Sequence, residues 1–179
     1  MIATSYTTAL LPLLQIAAPS AAPGFAVAQR LLSYANLATI SLSNAFMGAK
    51  SHQRAKNIVV MLTWSAASSV VFALIAPVLS ELILGTALPS PWSALLLAAT
   101  YLGVAINTCI SRLWLIPHGQ VKSVVAATAI GSALGLPSAL ILAMRFGADG
   151  GLAGTLVAET ACCVALIIMT VRGRGARRG

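Results

Sequence analysis

From Ile58 to Leu84 the chain carries a single charged side chain, Glu81. A run this long and this apolar has few folding options. A helix needs about 20 mainly apolar residues to cross a bilayer, and in lipid it must satisfy its own backbone hydrogen bonds. Five more apolar segments surround it, and prolines and glycines mark the breaks: Pro19 and Pro23, Gly48, Gly85 with Pro89 and Pro91, Pro117 with Gly119, then Gly147 to Gly151. The segments read as helices over 2–18, 24–47, 58–84, 92–116, 123–144 and 152–171, followed by a basic tail over 172–179. Short links make consecutive helices antiparallel neighbours. The expected fold is an all-α, polytopic membrane bundle of six helices.

Composition agrees. The chain has 179 residues, 59% of them hydrophobic and 8% charged, against about 25% charged in an average soluble domain. A net charge of +8 would suggest nucleic acid in a soluble protein. In a bilayer, basic residues instead set orientation, so no nucleic-acid partner is expected. Lys50, Arg54 and Lys56 follow the second segment, Arg112 and Lys122 bracket the turn after the fourth, and Arg172, Arg174, Arg177 and Arg178 follow the sixth. With six crossings these nine of the eleven basic residues share one side, leaving Arg30 and Arg145 apart. The positive-inside rule places that side, and both termini, in the cytoplasm. The first segment is short and contains Pro12; with no lysine or arginine before it, it does not read as a cleaved signal. Its shortness suggests a chain that begins partway into a helix.

Polar residues inside the apolar segments form stripes. At 100° per residue, Arg30, Ser33, Tyr34, Ser41 and Asn44 share a face of the second helix, with Leu37 among them. Thr100, Asn107 and Ser111 share one on the fourth, with Thr108 and Arg112 nearby. Thr4, Thr8 and Gln15 do so on the first. Lipid cannot hydrogen-bond such groups, so the stripes should face protein or water. Glu159, about two turns into the sixth helix, either pairs with a neighbouring helix or binds a proton. Gly131 and Gly135, four apart, form a close-packing face. Asp149 is placed to offset Arg145 in a glycine-rich turn, "RFGADGG".

Soluble-enzyme motifs are missing: no P-loop, no dinucleotide-binding glycine fingerprint, no zinc-protease helix motif and no nucleophile elbow. One Asp and two Glu cannot build a multi-carboxylate metal site. Cys109, Cys162 and Cys163 read as small apolar packing residues, and His52 and His118 stand apart. No catalytic residue, metal or cofactor is expected.

The stretch "GQVKSVVAATAIGSALGLPSALILAMRFGADGGLAGTLVAE" resembles polysaccharide exporters and O-antigen flippases of the multidrug/oligosaccharidyl-lipid/polysaccharide exporter superfamily. The likeness is carried by Gly119-Gln120-Val121-Lys122, by Arg145-Phe146-Gly147-Ala148-Asp149-Gly150, and by Ala158-Glu159. Upstream, "FAVAQRLLSYANLATISLSNAFMGAKS" and "PVLSELILG" are similar to two earlier helices of that family. Members have about twelve helices in two six-helix lobes and flip lipid-linked oligosaccharides through a central, often cationic cavity. The resemblance is to the second lobe alone. It implies half of a saccharide flippase in the inner (plasma) membrane, serving lipopolysaccharide or other cell-envelope polysaccharide biosynthesis. The other half would be a separate amino-terminal lobe or a second copy. Arg30 would attract a pyrophosphate, while Tyr34, Asn44 and Asn107 bind saccharide hydroxyls and Glu159 couples to protons. Multidrug export by the same superfamily, and a non-transporting scaffold or truncated remnant, are the alternatives.

Reporter fusions test the topology. Those after Lys56, after Lys122 and at Gly179 are expected to read cytoplasmic, and those near Pro89 and Asp149 external. One fusion in each set on the wrong side contradicts six crossings.

Overall fold

The computed structural model describes residues 3–47 and 53–175. Every regular element among them is helical: α1 (Ala3–Ala17), α2 (Ala22–Met47), α3 (Arg54–Leu84), α4 (Pro91–Cys109) and α5 (Val121–Gly175). Between α4 and α5 the helix continues as a π-helical segment, Ile110–Leu115, and a 3-10 turn, Ile116–His118. Three stretches are long and apolar enough to cross a membrane: Ala55–Ile83, Pro91–His118 and Val121–Val171. Helix α2 is long but diluted by Gln29, Arg30, Ser33, Asn36 and Asn44. Thr4 and Thr8 lie on α1; Lys50 and His52 fall outside the described residues.

Local chemistry sets the helix ends. Helix α3 stops at Gly85, whose φ of 64° suits a residue without a Cβ. There the Gly85 N–H donates to Glu81 O, and the Thr86 N–H to Ser80 O. Helix α4 starts with Pro91 behind Ser90, which forms a reciprocal capping box with Ser93. The Asp149 carboxylate accepts hydrogen bonds from both serine hydroxyls, placing a negative charge at the positive end of α4. These serines, rather than the expected Arg145, are the partners of Asp149.

Helix α5 is two arms. Gly147, at φ 64° and ψ −142°, breaks the helical path. Beyond it the arms run antiparallel: Gly131 lies against Cys162, Gly135 against Ala158, and Gly154 against Ala139. The face of Gly131 and Gly135 is thus a close-packing face. A Cβ on Gly131 would stand 2.9 Å from Ala158 O, and Gly135 and Gly154 leave less room still. The glycine-rich turn is tighter than the sequence suggested. Gly147 alone reverses the chain, whereas Gly150 and Gly151 are already helical. They serve packing: a Cβ on Gly151 would come within 2.9 Å of the Phe25 ring.

The connections alternate between two ends of the bundle. Residues 18–21, 85–90 and 147 gather at one end, where Gly24 meets Pro89 and Ala148. That half is filled by an apolar core including Leu10, Leu14, Phe25, Leu97, Ala139, Ala143 and Leu152. At the other end lie two smaller clusters, around Leu115 and Leu166 and around Met61 and Leu113. Helix α3 shows how the bundle meets its surroundings. It buries Ser65, Ser69 and Ser80 and exposes Val70, Val71, Leu74, Val78 and Leu82. Ser69 Oγ donates to Ala98 O at 2.8 Å, tying α3 to α4. Small and polar inside with large and apolar outside reverses the soluble pattern and suits lipid.

Gly154→Val tests the hairpin. Overpacking of this kind costs roughly 1–3 kcal/mol, so the variant should melt well below wild type in mild detergent. Val157→Ala, on the exposed side of the same arm, should change the midpoint little. A wild-type midpoint for Gly154→Val contradicts the packing described.

Candidate functional site

Where α2, α4 and the two arms of α5 diverge, they enclose a cavity of about 310 Å³. Helix α2 contributes Gln29, Ser33 and Asn36, and α4 contributes Thr100, Asn107 and Thr108. Ser111 and Arg112 come from the π-helical segment, Thr128 and Ser132 from the first arm, and Thr155, Glu159 and Cys162 from the second. The polar stripe expected on the fourth helix therefore turns inward, onto this cavity. Longer-than-α hydrogen bonding in Ile110–Leu115 is a local feature often found at functional sites.

Asn107 and Glu159 are the centre of the cavity wall, each only 8% exposed. Asn107 Nδ2 donates to Glu159 Oε2 at 2.8 Å and to the Glu159 backbone carbonyl at 3.0 Å. One turn earlier on α4, Gly103 makes the approach possible: a Cβ there would lie 3.0 Å from Glu159 Cβ. A glycine for room and an amide for donation, four residues apart, thus lock α4 to the second arm.

The surrounding hydroxyls face their own helices. Thr100 donates to Leu96 O, Ser111 to Asn107 O, Thr128 to Val124 O, Ser132 to Thr128 O and Thr155 to Leu152 O. Each proton is therefore committed, and what these groups still offer is acceptor capacity. The Oδ1 atoms of Asn36 and Asn107 are buried with no hydrogen-bond partner among the described residues. The wall thus combines hydroxyl acceptors with the amides of Gln29 and Asn36 and the Arg112 guanidinium, so it suits a polar occupant. Among the described residues no three of His, Cys, Asp and Glu gather as a metal site would need.

The other residues singled out in the sequence lie elsewhere. Arg30 and Tyr34 are exposed, Tyr34 by 54%. They share an outward face of α2 with Leu37, Ser41 and Asn44, all exposed as well, and the exposed Ser33 lies where that face meets the cavity wall. Asn44 is joined to the cavity by a contact the sequence did not suggest: Arg112 Nη1 donates to its Oδ1 at 2.6 Å. The structure brings Asn107 and Glu159 together and leaves Arg30 and Tyr34 on a different surface. Gln29 and Asn36 went unnoticed in sequence because they lie beside the more crowded polar face of the same helix.

Comparisons with family models, curated proteins and solved structures find no match to this chain.

Removing the amide tests the pair. Asn107→Leu takes a donor from a buried carboxylate, a loss of about 1–3 kcal/mol, and should lower the thermal midpoint. Asn107→Leu combined with Glu159→Leu should recover part of that loss, because both polar groups are then gone. An unchanged midpoint for the single variant contradicts the pairing.

Proposed function

We propose that this chain forms one six-helix lobe of a flippase that moves a lipid-linked saccharide across the inner (plasma) membrane by alternating access. The observation that carries the reading is the exposed polar face of α2, with Arg30 and Tyr34 at its centre. An arginine directed at hydrocarbon costs about 2.5–3.5 kcal/mol on insertion scales. A second lobe, either a separate chain segment or another copy, would cover that face and turn it into the wall of a central cavity. There Arg30 would pair with the pyrophosphate of the carrier lipid, and Tyr34 would meet saccharide hydroxyls.

The alternation of loops between two ends supports six crossings, with α1, α2, α3, α4 and the two arms of α5 each crossing once. Arg54, Lys56, Arg112 and Lys122 follow α2 or α4 in the chain, toward one end of the bundle, which supports a cytoplasmic placement of that end. The Asn107–Glu159 pair lies within the lobe, away from the α2 face, and we assign it to proton coupling. Two lobes rocking about a shared cavity then expose the substrate site to each side in turn.

The volume of the intralobe cavity favours a second reading. At about 310 Å³ it is at the lower end of small-molecule sites, which suits export of a compact amphipathic compound.

Flipping of lipid-linked oligosaccharide in proteoliposomes, with a partner lobe present, separates these readings. Losing a charge-assisted contact worth about 1.5–3 kcal/mol should slow flipping by Arg30→Ala roughly tenfold or more. Glu159→Gln should flip without responding to a pH gradient. Wild-type flipping by Arg30→Ala removes its binding role, and transport of cationic drugs without saccharide flipping selects the second reading.

A further inference from the structure

The cavity occupies one half of the bundle. Its wall on α2 starts at Gln29 and on α4 at Thr100; on the arms of α5 it spans 124–132 and 155–166. None of these stretches reaches the end where Gly147 turns. That half is filled by an apolar core in which Leu14, Phe25, Leu97 and Leu152 are all buried. Toward the opposite end, which carries Arg112, the wall continues to Ile116 and Val125, both exposed.

We propose that this cavity is an aqueous vestibule, entered from the end that carries Arg112, which delivers protons to Glu159 from that side alone. The volume far exceeds the ~10–15 Å³ that one water needs. The lining hydroxyls, their protons already given to backbone carbonyls, keep acceptor capacity, and water is the donor that uses it. A hydronium ion arriving along such waters gives its proton to the Glu159 carboxylate and leaves as water, so the charge at the site falls from −1 to zero. Of the other titratable or charged groups on the cavity wall, Arg112 stands toward the mouth and Cys162 lies one turn along the same arm. From α2, α4 and the first arm the wall presents amides and hydroxyls. The apolar half blocks passage to the far side, so loading and release on opposite sides require the lobe to change conformation. The proton step rests on the coupling role assigned to Glu159; the one-sided vestibule rests on the cavity geometry alone.

Cysteine accessibility tests it. In a background with Cys109, Cys162 and Cys163 replaced by alanine, Ser132→Cys reports from the cavity wall. Thr128→Cys repeats the test from the same arm if Ser132→Cys does not fold. Lys56→Cys marks the basic end and Thr86→Cys the other, so sidedness is measured rather than assumed. With a membrane-impermeant sulfonated thiol reagent, the cavity cysteine should react in vesicles oriented to label Lys56→Cys and not in those that label Thr86→Cys. Reaction from the Thr86 side, from both sides equally, or from neither overturns the vestibule. The protonated-carboxyl infrared band of Glu159, identified by its loss in Glu159→Gln, should follow pH on the labelled side only. A labelled cavity without a titrating band overturns proton delivery and the coupling role with it. A titrating band in a protein whose cavity cysteine stays silent overturns this entry route and leaves the coupling role standing.

Discussion

Hydrocarbon offers no hydrogen bonds, and that constraint shapes this protein more than any single contact. Each polar group carried into the membrane must find its partner inside the protein. The Asn107–Glu159 hydrogen bond is one response to it. It brings a carboxylate on the second arm of α5 to an amide on α4, across 52 residues of sequence. The carbonyl of Glu159 accepts from the same amide, so backbone and side chain are held together. Elsewhere the same constraint is met by Tyr101, whose hydroxyl meets Thr39 and Ser68 and so links α2, α3 and α4.

Association in lipid depends on close packing, because burying apolar surface brings no advantage over leaving it against acyl chains. The arms of α5 follow this rule, with Gly131, Gly135 and Gly154 opposing Cys162, Ala158 and Ala139. The two halves of the bundle then differ in kind. One is sealed by large apolar residues and capped by Asp149 on the α4 N-terminus. The other diverges into a cavity, at the level where α4 passes into its π-helical segment. Apolar side chains fill one end, and polar groups line the cavity toward the other.

Much of this was legible in the sequence, for physical reasons. Long apolar runs and glycine-proline breaks dictate helices and their ends, and the left-handed Gly85, Gly119 and Gly147 are where turns were expected. The inward stripe of α4 was readable because Thr100, Asn107 and Ser111 recur at helical spacing. Pairings were not readable. Nothing in the sequence ties Asn107 to Glu159 or Arg112 to Asn44, since these contacts depend on how helices are juxtaposed. Periodicity also could not tell which polar face of α2 turns inward. The face of Arg30 and Tyr34 carries more polar residues, yet the face of Gln29 and Asn36 is the one that meets the cavity.

The outward face of α2 is the exposed polar surface on which the proposed function rests. Asn44 accepts from Arg112, and Ser33 and Ser41 donate to their own helix, but Arg30 and Tyr34 are exposed on that face, and a second lobe is the neighbour proposed for them. Mass determination of the functional species in mild detergent tests this most directly. The account predicts that the particle able to flip lipid-linked saccharide contains at least two six-helix lobes. A particle containing a single copy of this chain and no other protein, yet able to flip saccharide, would contradict it.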